Sequence, residues 1–290
     1  MKLYRHFRSQ KEIDFEYNLA LRVPDIQHWI EWYTQESIKA RRKLNCILDV
    51  RFGSSEDETV DIFLAKEQNA PLLLFIHGGY WFSGSSKDYS FVANGLVHRG
   101  FTVIVMNYSL CPKVTLSEIT RQSRTLISWL HKEAPSFNAD PSRIFVSGHS
   151  SGGHQVGMLL ATDWLGEYGV PNDVIKGAIS ISGLFDLQPL YYSYLQPKLL
   201  LTHDVIHEQS PCLHIPHSGV PLLISYGEAE TAEFHRQSND FLSAWRRNGN
   251  QGELLVQKGK HHFAAIEDLN DTDSVLCRTF VDFMRLCANL

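Results

Sequence analysis

The chain has 290 residues, a formal net charge of −5 and a hydrophobic fraction of 43%. That much apolar material is enough for a sizeable core and too much for a disordered chain. A net negative chain lacks the basic footprint of a nucleic-acid or membrane binder, so we expect neither kind of partner. No apolar run approaches the roughly 18 residues that span a bilayer, and the N-terminal stretch lacks the apolar core of a secretory signal.

The first 42 residues are predicted to be partly helical, because Trp29, Ile30, Trp32 and Tyr33 recur near helical spacing. Short β-branched or apolar runs then predict eight strands, at residues 44–52, 59–64, 71–76, 101–106, 144–146, 177–181, 221–226 and 253–256. Helical patterns lie between and after them, at residues 87–98, 115–132, 152–165, 232–247 and 273–287.

Two opening strands followed by repeated strand–helix units predict an α/β fold, with a mostly parallel eight-stranded sheet flanked by helices. The sequence shows neither a repeat nor a flexible linker, so we expect residues 1–290 to form a single domain. Residues 184–219 break the alternation and are too long for a simple connection. This segment is rich in Tyr, Leu, Pro and His, and we expect it to be an insertion that caps a site.

The cysteines are widely spaced and never form a Cys-x-x-Cys pair; they are Cys46, Cys111, Cys212, Cys277 and Cys287. An odd number at such spacing argues against a disulfide framework and against a zinc site. The pattern fits a reducing compartment, so we expect a cytoplasmic protein.

A candidate nucleophile lies in the run Gly148-His-Ser-Ser-Gly152, which fits G-x-S-x-G between a predicted strand and a predicted helix. The sharp strand-to-helix turn in this context needs small flanking residues and presents the central serine, Ser150, at the positive end of the helix. The alternative is an inert turn rich in glycine and serine. The strand and helix on either side favour the catalytic interpretation.

Backbone donors for a developing oxyanion are predicted in His77-Gly-Gly-Tyr-Trp81, directly after the strand at 71–76. Glycines let the backbone approach a substrate closely, so Gly78 and Gly79 are the candidate donors. The N–H of Ser151, the residue after the nucleophile, is expected to supply another donor. Without the downstream serine motif, the same run would be read as an ordinary turn.

A serine nucleophile needs a base, and the base needs an orienting carboxylate. In the chain order Ser, acid, His, the base lies after the last strand, at His261 or, preferably, His262. The acid is expected in the loop after the preceding strand. We favour Glu230 there, with Glu228 as the fallback and Asp186, after an earlier strand, as a third choice.

These motifs occur in order with G-S-S-K-D at 84–88, N-Y at 107–108, C-P-K at 111–113 and E-F-H-R-Q-S at 233–238. In this order the sequence resembles the kynurenine formamidases, or arylformamidases, of the α/β-hydrolase superfamily. The resemblance implies an α/β-hydrolase fold and the hydrolysis of N-formyl-L-kynurenine to L-kynurenine and formate in tryptophan catabolism. It also implies a Ser-His-acid triad that works through a formyl-enzyme without a cofactor. The family's acid is usually aspartate, whereas Glu230 stands at the matching position.

A formamidase needs a cramped acyl side and a flat apolar slot for the aniline leaving group. Tyr80 and Trp81 adjoin the candidate oxyanion glycines and are expected to crowd the acyl side. Tyr191, Tyr192 and Tyr194 lie in the expected cap and are candidates for covering the ring. The alternative is that these aromatic side chains are ordinary core or cap packing.

Two other functions remain open at this point. A general carboxylesterase would use the same machinery with different acyl and leaving-group pockets. A non-catalytic binding protein on a hydrolase fold is the other, and the presence of Ser150, His262 and the acidic loop argues against it. The expected partner is a small-molecule substrate, N-formyl-kynurenine. A homodimer is one oligomeric state that the sequence leaves open.

A second group of histidines has part of the spacing of a metal site. His203 and His207 lie four residues apart, and His214 and His217 follow. The run lacks the intervening catalytic glutamate of a helical zinc motif. We therefore expect no metal there and none in the catalytic site.

Overall fold

A computed structural model of the chain describes residues 2–288. Its strands are β1 Cys46–Arg51, β2 Thr59–Phe63, β3 Ala70–Ile76, β4 Thr102–Met106, β5 Ala139–His149, β6 Ile175–Ile181, β7 Leu222–Gly227 and β8 Gly252–Gln257. They form one sheet in the order β1-β2-β4-β3-β5-β6-β7-β8. β2 is antiparallel to both its neighbours, and every other neighbouring pair from β4 to β8 is parallel. The mostly parallel eight-stranded sheet is therefore confirmed.

The helices are α1 Gln10–Tyr17, α2 Ile26–Lys43, α3 Ser86–Tyr89, α4 Ala93–Val97, α5 Leu116–Glu133, α6 Ser151–Leu160, α7 Trp164–Tyr168, α8 Gln188–Tyr191, α9 Gln196–Leu199, α10 His203–Glu208, α11 Ala232–Arg247 and α12 Val275–Cys287. Short 3-10 turns occupy Leu19–Leu21, Ser90–Val92, Ala134–Phe137, Pro211–Leu213 and Ala264–Asn270. Between residues 2 and 288, no helix combines the length and the apolarity needed to cross a membrane.

Two predicted helices are interrupted in the structure. The stretch 152–165 stops at Leu160, because the Asp163 carboxylate accepts the N–H of Gly166 at 3.0 Å and starts a new helix, α7. The stretch 87–98 divides into α3, a 3-10 turn and α4. In that turn the N–H of Phe91 donates to the Ser37 hydroxyl at 3.2 Å, which draws the backbone onto α2.

The central strands are buried on both faces, as their continuous apolar sequences predict. In β3, Leu72, Leu74 and Ile76 pack into one hydrophobic cluster, while Leu73 and Phe75 pack into a second. Successive side chains of a strand point to opposite faces, so the two clusters lie on opposite sides of the sheet. Helices cover both clusters, which gives the three-layer α/β architecture.

Two buried tyrosines connect the N-terminal helices to the rest of the fold. The Tyr17 hydroxyl donates to Glu233 Oε2 at 2.7 Å and accepts from Gln237 Nε2 at 2.8 Å. Arg236 in turn donates to both carboxylate oxygens of Glu233, each at 2.7 Å. The E-F-H-R-Q-S stretch on α11 therefore holds the segment that precedes the sheet. At the far end of that segment, the Tyr33 hydroxyl donates to the carbonyl of Phe263 at 2.6 Å.

We predict that Tyr17→Phe lowers the free energy of unfolding by about 1–3 kcal/mol, because it leaves buried hydrogen-bonding groups on α11 without their partner. Urea unfolding followed by circular dichroism measures the change. Tyr168→Phe is the matched control, since the Tyr168 hydroxyl has no hydrogen bond to any residue between 2 and 288. Equal stability of the two variants would contradict the proposed tie.

Candidate active site

The predicted site residues follow four parallel strands at the same edge of the sheet. Gly78 comes after β3, Ser150 after β5, Glu230 after β7 and His262 after β8. Parallel strands end at a common edge, and ligands bind in the crevice outside it. The topology therefore brings together residues that lie as much as 184 positions apart in the sequence, as between Gly78 and His262.

Ser150 occupies a strained turn between β5 and α6. Its φ of 58° and ψ of −118° lie in a region that non-glycine residues seldom adopt. The flanking glycines make the turn possible: a Cβ on Gly148 would overlap the backbone of Gly152, and a Cβ on Gly152 would overlap the carbonyl of Ile76 in β3. The turn holds Ser150 at the N-terminus of α6.

The predicted oxyanion donors lie beside this turn. A Cβ on Gly78 would be 3.2 Å from the Cβ of Ser150, so the two backbones are in close approach. Gly79 has a φ of 115°, which favours glycine. Within residues 2–288, the N–H groups of Gly78, Gly79 and Ser151 donate to no other protein group. Unpartnered backbone donors at this point are available to a ligand oxygen.

His262 and Glu230 form a buried pair. The Nδ1–H of His262 donates to Glu230 Oε2 at 2.7 Å. The other carboxylate oxygen, Oε1, accepts from the Ser182 hydroxyl at 2.5 Å and from the N–H of Gly227 at 2.8 Å. Because Nδ1 carries the proton of the neutral ring, Nε2 of His262 is left free to accept one.

The alternative base and acids lie elsewhere. The His261 ring packs edge-on against Trp29, with centroids 4.8 Å apart, and its Nδ1 accepts the N–H of Ala264 at 3.3 Å. Glu228 is exposed and accepts the N–H of Gly259 at 2.9 Å. Asp186 accepts hydrogen bonds from Tyr4 and Arg236. The structure brings Glu230, and neither Glu228 nor Asp186, to His262.

Two further buried histidines, His149 and His77, lie beside the site, and burial favours the neutral form of each ring. The Nε2–H of His149 donates to the carbonyl of His262 at 3.0 Å, which holds the loop after β8 close to β5. Burial, and next the neighbouring His262, keep the pKa of His149 well below its ordinary value. Burial likewise lowers the pKa of His77 to about 4, and its ring stacks on Tyr108 with centroids 4.2 Å apart.

Ser150 and His262 line one cavity of about 360 Å³, a volume at the lower end of small-molecule sites. Tyr80 and Tyr194, both predicted pocket residues, also line it. Much of the remaining wall comes from the N-terminal segment, through Asn18, Leu19, Ala20, Ile26, Ile30, Tyr33 and Thr34. The sequence analysis above predicts no contribution of this segment to the cavity wall. The apolar spacing of 26, 30 and 33 along α2 is the signal that one face of this helix packs against something.

Three predicted pocket residues lie outside the lining of this cavity. Trp81 is fully buried, and its ring packs edge-on against His154 with centroids 4.9 Å apart. The Tyr191 ring stacks on His203 at 5.2 Å and meets Tyr192 edge-on at the same distance. Trp81 follows the candidate oxyanion glycines in the chain, but its side chain lies in the core. The side chain of Tyr191 packs on His203 of α10. The expected cap thus contributes Tyr194, and the N-terminal segment contributes more of the wall than the cap does.

The histidine group of the insertion is organised by protein contacts. His214 Nε2–H donates to the carbonyl of His207 at 2.7 Å, and the two rings meet edge-on at 5.5 Å. Over the described part of the chain, no group of three or more His, Cys, Asp or Glu side chains is arranged to hold a metal ion.

Comparison with known proteins agrees with this geometry. A family model described as BD-FAE matches residues 60–245, well over half of the chain. A kynurenine formamidase of Salmo salar is 30% identical over 254 residues, which cover 85% of this chain and 84% of that protein. One from Danio rerio is 29% identical over 247 residues, covering 83% and 82%. A solved structure from Silicibacter sp. TM1040, described provisionally as a thioesterase, has a TM-score of 0.82 and 28% identity, covering 94% of this chain and 98% of that one.

The sheet order and the strained serine turn between β5 and α6 define an α/β-hydrolase. With the homologues just described, the protein is a hydrolase. The chain belongs to the BD-FAE family and to the kynurenine formamidases.

We predict that Gly152→Ala lowers the free energy of unfolding by about 3 kcal/mol or more, because the new Cβ would overlap the backbone of Ile76, which cannot move independently of the sheet. Chemical denaturation measures the loss. Gly219→Ala is the control, since a Cβ there meets nothing within 4 Å. A Gly152→Ala protein as stable as the wild type would contradict the close approach of α6 to β3.

Proposed function

We propose that the protein hydrolyses N-formyl-L-kynurenine to L-kynurenine and formate. The observation that carries the proposal is the buried His262–Glu230 hydrogen bond behind a cavity that His262, Ser150 and Gly79, with its unpartnered N–H, all line. Membership in the kynurenine formamidase family supports this substrate over other carbonyl compounds. Ser150, His262 and Glu230 then form the triad.

In the first half-reaction the Ser150 oxygen attacks the formyl carbon and its proton moves to Nε2 of His262. The ring becomes an imidazolium, which the Glu230 carboxylate stabilises through the 2.7 Å hydrogen bond. The carbonyl oxygen becomes an oxyanion and accepts hydrogen bonds from the N–H groups of Gly78, Gly79 and Ser151. As the tetrahedral intermediate collapses, the C–N bond breaks and His262 gives its proton to the leaving aniline nitrogen.

In the second half-reaction water attacks the formyl ester on Ser150. His262 takes a proton from the water, and the same N–H groups stabilise the second oxyanion. Collapse breaks the ester bond, the proton on His262 moves to the Ser150 oxygen, and formic acid leaves and ionises to formate. Because the two halves use the same groups, the site needs no further acid or base.

The cavity walls suit an aromatic leaving group. Leu19, Ile26 and Ile30 present apolar side chains, and Tyr33 and Tyr80 present aromatic rings, around the space that Ser150 faces. Such walls favour a flat, mostly apolar group with a few polar contacts. The anilide part of N-formyl-kynurenine has this character.

Ester or thioester hydrolysis is the second candidate. It is supported by the 28% identity to the Silicibacter protein, whose provisional description is thioesterase. The same attack and collapse would cleave an ester, with an alcohol or a thiol as the leaving group. Specificity constants for an aryl formamide and for acetyl and butyryl esters of matched phenols separate the candidates.

We predict that the purified protein releases formate from N-formyl-L-kynurenine and that Ser150→Ala lowers kcat/KM on the order of 10⁴-fold or more, because the nucleophile is lost. Coupled formate detection measures turnover. Circular dichroism establishes that the variant folds, as expected when a hydroxyl is removed from a turn facing the cavity. Wild-type protein that hydrolyses phenyl esters but no aryl formamide would overturn the substrate while leaving the hydrolase mechanism in place.

We further predict that Glu230→Gln lowers kcat on the order of 10³-fold or more, because the amide cannot stabilise the imidazolium or fix the ring as the carboxylate does. Glu228→Gln is the matched control and should stay within about twofold of wild type, since that side chain is exposed. Steady-state kinetics on one aryl formamide compare the two. Similar small losses in both variants would contradict Glu230 as the acid.

A further inference from the structure

Of the Asp, Glu, Lys and Arg side chains in residues 2–288, one lines the cavity, and it is an aspartate. Asp88 reaches the wall from α3, beside Ser83, Gly84 and Tyr89. No lysine or arginine of residues 2–288 lines the same space. The cavity that holds Ser150 and His262 therefore carries an acidic side chain without a fixed positive charge to balance it.

The lysine next to Asp88 in the sequence pairs with other carboxylates. Lys87, next in sequence to Asp88, places its Nζ 2.8 Å from Asp49 and 2.5 Å from the buried Asp61. Asp88 forms no ion pair with any residue between 2 and 288. Its hydrogen bonds come from neutral groups: the Ser85 hydroxyl donates to Oδ2 at 2.9 Å, and the Thr34 hydroxyl lies at the limit of contact, 3.5 Å from Oδ1.

The Ser85 contact has a structural explanation, because Asp88 is the third residue of α3 and an acid there favours the start of a helix. That role does not require the side chain to line the cavity. A half-buried carboxylate between apolar walls is incompletely hydrated, and the walls focus its field into the cleft. Burial is the main influence on the pKa of the adjacent His77, which it lowers, and of Tyr89, which it raises. The charge of Asp88 adds a smaller upward contribution to the pKa of each.

We propose that Asp88 binds an ammonium group on the leaving part of the substrate and so selects aryl formamides with a cationic side chain. The inference rests on the proposed function and names a specificity-determining residue for it. In N-formyl-kynurenine the α-ammonium group would occupy this position. No lysine or arginine in the described lining is available to the α-carboxylate. A formanilide whose side chain ends in an amine is therefore a better substrate than one whose side chain ends in a carboxylate.

The test uses three formanilides of one skeleton whose side chains end in an ammonium, a hydroxyl or a carboxylate group. For the wild type we expect kcat/KM to fall about tenfold at each step from ammonium to hydroxyl to carboxylate, mainly through KM. Salt should lower kcat/KM for the ammonium substrate and raise it for the carboxylate one. In Asp88→Asn, the ratio of ammonium to hydroxyl substrate should fall about tenfold.

Asp204→Asn is the matched control, because it removes one negative charge from an exposed helix outside the cavity and should leave that ratio unchanged. Hydrolysis of all three formanilides at equal rates would overturn the inference and leave the proposed function standing. Hydrolysis of N-formyl-L-kynurenine but of none of the three would also overturn the inference alone, whereas hydrolysis of no aryl formamide, N-formyl-L-kynurenine included, would overturn the proposed function itself. If Asp88→Asn does not fold, the wild-type order and its salt dependence decide the question, since neither needs the variant.

Discussion

The close approach of α6 to the end of β3 is the constraint on which the site depends. A Cβ on Gly152 would overlap the carbonyl of Ile76, so the helix can pack this near the sheet only because the residue is glycine. The turn at Ser150, directly before this helix, has a strained conformation, and the Cβ of Ser150 lies close to Gly78. The stability of the surrounding parallel sheet offsets this strain, and a short peptide with the same sequence would not keep the conformation.

The electrostatics of the site follow from burial with complete hydrogen bonding. The side chain of Glu230 is fully buried, yet its two oxygens accept hydrogen bonds from His262, Ser182 and Gly227. A buried carboxylate without such donors would pay heavily in desolvation. The Glu230 carboxylate reaches His262 at 2.7 Å.

The N-terminal segment completes a cavity that the sheet alone would leave open. Tyr17 joins it to Glu233 on α11, and Tyr33 joins it to the carbonyl of Phe263, next to His262. The hydrogen bonds that hold the cavity wall therefore also restrain the loop after β8. This arrangement links the position of His262 to the packing of the helices that precede the sheet. The E-F-H-R-Q-S stretch on α11 takes part in these contacts, although none of it lines the cavity.

The sequence by itself determined the local features: eight strands, a serine turn flanked by glycines, and a glycine pair after β3, because each depends on a few neighbouring residues. It narrowed the base to His261 or His262 and the acid to two glutamates or Asp186. Only the tertiary structure shows which of these residues meet, since Glu230 contacts His262 across 32 positions and Ser182 contacts Glu230 across 48. It also turned Trp81 into the core and gave much of the cavity wall to residues 18–34. Side-chain direction and long-range contact depend on how distant elements pack, and no short pattern along the chain encodes that.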